Sequence, residues 1–109
     1  MTKKQKNAVK VIVSGDCRIA GSYCNANNDT CAVGALLLAA GVTNDQLRAA
    51  RSDEIRHWPS WLKLLEDKFG ISLEVACEIQ ERNDDFDSVE TRRETILEYL
   101  ETIPVENSP

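Results

Sequence analysis

Cys31-Ala-Val-Gly-Ala-Leu-Leu-Leu-Ala-Ala40 decides the reading of this 109-residue chain. Apart from Gly34 the segment suits a helix, and it is apolar on every side, which marks a helix buried all round rather than an amphipathic one. It falls well short of the ~20 residues that cross a bilayer. The segment therefore predicts a central helix, at about 31–40, with a small domain packed around it. Asp29 or Thr30 is placed to cap its start and Gly41 to end it. Gly34 and Ala35 are small enough to let another backbone approach closely, a space that a methyl group on Gly34 would fill.

Working outward toward the N-terminus, residues 4–13 place Ala8, Val9, Ile12 and Val13 on one helical stripe. The β-branched residues of 8–13 also fit a strand, but the helix formers before them favour a helix, ended by Ser14-Gly15-Asp16. Residues 17–30 are polar and rich in Gly and Asn, and Asn25 to Asn28 tolerate left-handed backbone angles. They predict a short β-hairpin near 18–30, resting on the helices.

Toward the C-terminus, Thr43-Asn-Asp-Gln46 has the form of a capping box and predicts a helix through about Ile55. Pro59 suits the first turn of the next helix, whose apolar stripe is Trp58, Trp61, Leu62, Leu65 and Phe69 and whose end is Gly70. Ser72 opens a helix with Val75, Ala76 and Ile79 inward. Asp87 and Glu90 form a second capping box, opening a last helix striped by Val89, Ile96, Leu97, Leu100 and Ile103 and stopped by Pro104. Phe86 is placed to plug the core between these two helices. Residues 104–109 read as a frayed tail. The expected architecture is mainly α: one domain over 1–109, with five or six short helices around the buried one and a small hairpin.

Hydrophobic residues make up 42% of the chain and charged residues 28%, the balance of an ordinary globular domain. The net charge of −5 is unevenly spread: residues 1–70 hold ten basic and seven acidic side chains, residues 71–109 three basic and eleven acidic. Nucleic-acid readers need a basic face to neutralise phosphates, and the one basic cluster here, Lys3, Lys4, Lys6 and Lys10, reads as a solvated helix start. Nucleic acid is therefore disfavoured, while the acidic half suits solubility or a basic protein partner. No long apolar stretch follows Met1, so neither a signal peptide nor a membrane segment is expected, and a cytoplasmic chain with reduced thiols is the default.

Six residues separate Cys17 from Cys24, and six separate Cys24 from Cys31. Zinc ligands usually come in pairs two to four residues apart, and no such pair exists here, so no metal or other cofactor is expected. Cys31 falls in the first turn of a helix, where the dipole favours the thiolate. With His57 as base and Asn83 or Asp84 as orienter, it would make a cysteine-hydrolase arrangement. A core thiol packed as a small hydrophobe explains the same Cys31, and Cys17, Cys24 and Cys77 as well. Oxygen-bearing side chains at Asn83, Asp85, Asp87, Thr91 and Glu94 follow the spacing of a calcium-binding loop. The turn position that needs glycine holds Ser88, so a polar connection and helix cap is the better account. Asn83 and Asp84 then read as structural pins at a helix junction, satisfying backbone groups locally. Trp58 and Trp61, three apart, suit either a core or an interface anchor.

These residues resemble a small family of phage and bacterial proteins with no established activity. The matching segments are Ser14-Gly15, Gly21-Ser22-Tyr23-Cys24, Cys31-Ala-Val-Gly34-Ala35-Leu36 and Asn83-Asp84, in order over most of the chain. The family often has two adjacent cysteines where this chain has Thr30-Cys31. The resemblance implies the topology outlined above and an accessory or host-interaction role, by analogy alone. Two function classes thus stand: a non-catalytic protein-interaction module, with Trp58 and Trp61 as candidate contacts, and a cysteine-dependent enzyme centred on Cys31.

Overall fold

Every described α-helix except the one beginning at Pro59 starts where a side chain accepts from a first-turn backbone donor. A computed structural model describes residues 1–15, 19–50 and 54–105. α1 (Lys3–Val13) opens on a capping box in which Thr2 accepts from the Gln5 amide and the Gln5 side chain accepts from the Thr2 amide. Residues 8–13 are therefore helical, not extended. α2 (Ala32–Ala39) is capped by neither Asp29 nor Thr30 but by Cys31, whose sulfur accepts from the Gly34 amide at 3.3 Å. Thr43 and Gln46 form the expected capping box before α3 (Asn44–Ala50). α3 does not reach Ile55, which instead begins a separate single 3-10 turn, Ile55–His57. α4 (Pro59–Phe69) has proline in its first turn and ends at Gly70, whose φ of 67° is the left-handed conformation that glycine adopts without strain.

α5 (Leu73–Asp84) is capped by Ser72, and α6 (Val89–Glu101) by Ser88 rather than Asp87. The Ser88 hydroxyl lies 3.4 Å from the Thr91 amide, so the competing box with Glu90 does not form. Phe86 is exposed and plugs nothing. Its carbonyl instead accepts from the guanidinium of buried Arg92, which ties the α5–α6 connection to α6.

The hairpin expected near 18–30 is replaced by a tight polar turn, and no strand occurs among the described residues. An isolated antiparallel bridge joins Cys24 and Thr30. Between them the Asn25 side-chain oxygen accepts from the amides of Asn27 and Asp29, at 2.9 and 3.0 Å, and Asn28 turns left-handed at φ 63°. Side-chain acceptors thus take the amides that a ladder would need. The chain then enters the α2 cap at once, leaving no length for a second strand. Cys17 and residues 106–109 lie outside the described residues.

α2 packs against α1, α4 and α5. Ala32, Val33, Gly34, Leu36 and Leu37 are buried, Ala35 and Leu38 are half-buried, and Ala39 at its end is exposed, so the helix is central without being buried all round. Around it gather Val9 and Val13 of α1, Leu65 of α4, Ile79 of α5, and Ile96 and Leu100 of α6. The radius of gyration is 12.8 Å, close to the ~13 Å of a compact chain of this length. No described helix is long and apolar enough to cross a membrane.

The two ends of the chain are held together by charge. Lys6 is buried, and its ammonium donates to the Ile103 carbonyl at 3.0 Å. One turn further along α1, Lys10 pairs with Glu101, and the hydrogen bond from Lys10 holds the Glu101 carboxyl below its usual pKa. A carboxyl depressed in the folded state adds stability above its unfolded pKa, and that stability is lost as the pH falls through its folded value. Thermal melts should accordingly show Glu101→Gln less stable than wild type at pH 7. The gap should close below the ordinary glutamate value of ~4.3 and shrink in ~1 M salt, because the pair is exposed. A gap unchanged in acid would exclude the pair as its cause.

Candidate functional site

Cys77, Gln80, Glu81 and Asp84 recur at helical spacing on α5 and face a cleft of about 350 Å³. Gly21, Ser22 and Tyr23 form a second wall, with Cys31 at the start of α2. Glu54 and Arg56, flanking Ile55 on the 3-10 turn, form the third. The volume lies near the lower end of the roughly 300–1,000 Å³ typical of small-ligand pockets.

Side chains of α5 hold the other two walls in place. The Gln80 carbonyl accepts from the Ile55 amide at 3.1 Å, fixing the 3-10 turn. Asp84 accepts from the Gly21 amide at 2.9 Å. Fully buried Asn83 reaches further in: its oxygen accepts from the Ala32 amide at 3.1 Å, and its nitrogen donates to the Ile19 carbonyl at 2.9 Å. Tyr23 is braced from behind, edge-on to Trp61 with ring centroids 5.5 Å apart. Trp61 is buried and stacks on Trp58 at 4.7 Å. The tryptophans thus support a wall of the cleft without lining it.

The charge of the cleft is strongly one-sided. Glu54 pairs with Arg56 at 2.6 Å. Asp84 keeps one carboxylate oxygen on Gly21, and neither Glu81 nor Asp85 has an ion-pair partner among the described residues. Three carboxylates therefore face the same opening from the last turn of α5 and its cap.

Cys31 lines this cleft but is only 3% exposed, and its sulfur is occupied as the α2 cap. His57 is exposed and does not line the cleft, so the structure does not bring the imidazole to Cys31. Asn83 is turned toward the start of α2 and the Ile19 carbonyl, and not toward a thiol–imidazole pair. The run from Asn83 to Glu94 is split between the end of α5, a connection and α6, so its oxygens do not converge. Among the described residues no group of three His, Cys, Asp or Glu side chains is arranged to hold a metal. Cys24, Cys31 and Cys77 are present as thiols.

The reading from sequence missed Gln80, Glu81 and Glu54. One signal for two of them was available: the α5 positions 77, 80, 81 and 84 form a polar stripe with the Cys at one end. The Ala76 and Ile79 stripe marks the inward face, and the neighbouring polar face reads as solvated unless the partner walls are known. Comparison with protein-family models, curated proteins and solved structures finds no match.

Proposed function

We propose that this protein is a small, non-catalytic interaction module that engages a protein partner through the cleft beside α5. The accessory role implied by the phage and bacterial resemblance belongs to the same reading. The observation that carries it is a cleft with two walls pinned to the helix that forms the third, in which the candidate nucleophile at the α2 start is already used as a helix cap. Preorganised walls lower the ordering cost of association. The Cys31–His57 arrangement is not assembled, because the single histidine lies outside the cleft.

Two measurements test the reading. A photo-crosslinking residue at Ser22, in the cleft wall, should capture a discrete protein in native cells, whereas the same residue at exposed Lys63 on α4 should not. Equal capture from both positions, or none from Ser22, would remove the cleft from the proposal. The rival enzyme reading is addressed by Cys31 itself. Serine is a better cap than a thiol, so Cys31→Ser should fold and keep partner capture. Cys31→Ala leaves the Gly34 amide without its acceptor and should lose ~0.5–2 kcal/mol of stability in denaturant titrations. Loss of function in a stably folded Cys31→Ser variant would return the thiol to a catalytic role.

A further inference from the structure

We draw no further inference here: the strongest candidate, the two thiols of Cys31 and Cys77 that line the cleft beside α5, belongs to the site already described and has one of its sulfurs taken up as the α2 cap.

Discussion

Gly34→Ala should lower the melting temperature by ~10 °C or more, the largest effect expected of any single methyl group in this chain. On propensity alone the change favours the helix by ~1 kcal/mol. Packing reverses the sign. A Cβ on Gly34 would fall onto the Tyr23 carbonyl oxygen, well inside van der Waals contact, and 3.1 Å from that carbonyl's carbon. Both partners are backbone, so no side chain can swing aside. Either α2 or the 21–23 wall must move, and Tyr23 is also locked against Trp61. Overpacking costs typically ~1–3 kcal/mol and more where backbone must shift, and in a domain of this size each kcal/mol moves the midpoint by roughly 4–8 °C. Calorimetry and urea titration should agree, and the cleft thiol Cys77 should react faster with thiol reagents as the wall lifts. A variant as stable as wild type would show that Tyr23 does not sit on α2 in solution.

Asn83→Ala should cost ~2–5 kcal/mol, because a buried amide and a half-buried carbonyl lose their partners together. The Ala32 amide is a first-turn donor of α2 with no intrahelical acceptor, and the Ile19 carbonyl lies in a segment without a ladder. Among the described residues Asn83 is the side chain that bonds both. Asn83→Asp separates the two contributions: it keeps an acceptor for Ala32 but puts a second acceptor against the Ile19 carbonyl. It should fall well below wild type at pH 7 and recover part of the loss in acid, where a protonated carboxyl can donate. Asp84→Ala, at an exposed site whose carboxylate accepts from the Gly21 amide and, at 3.3 Å, from the Asn83 side chain, should cost only ~0.5–2 kcal/mol. An Asn83→Ala variant within ~0.5 kcal/mol of wild type would show that water replaces both contacts.

The helices were legible because local chemistry specifies them. Thr43 and Gln46, Pro59, Gly70 and Ser72 act within a turn of themselves, and the structure uses each as expected. The apolarity of 31–40 called for burial, which put α2 at the centre, with only its end at Ala39 left exposed. Where local signals competed, the reading failed. Asp87 and Ser88 both offer an N-cap, as do Thr30 and Cys31, and the choice depends on where the chain arrives from. The missing hairpin has the same origin: Asn25 can start a ribbon or fold its own side chain over the turn, and its neighbours decide.

The cleft lay almost wholly beyond such reasoning. Its walls come from 21–23, 54–56 and 77–85, and each is ordinary polar sequence on its own. The bonds that join them, Gln80 to Ile55, Asp84 to Gly21 and Asn83 to Ala32, span 25, 63 and 51 residues. Periodicity and capping act over one or two turns, so they decide which residues are helical and which face is buried. They carry no information about which exposed faces will meet. That is set by how α5 docks on α2, a packing outcome that brings Glu81, Asp84 and Asp85 to one opening while leaving His57 outside it.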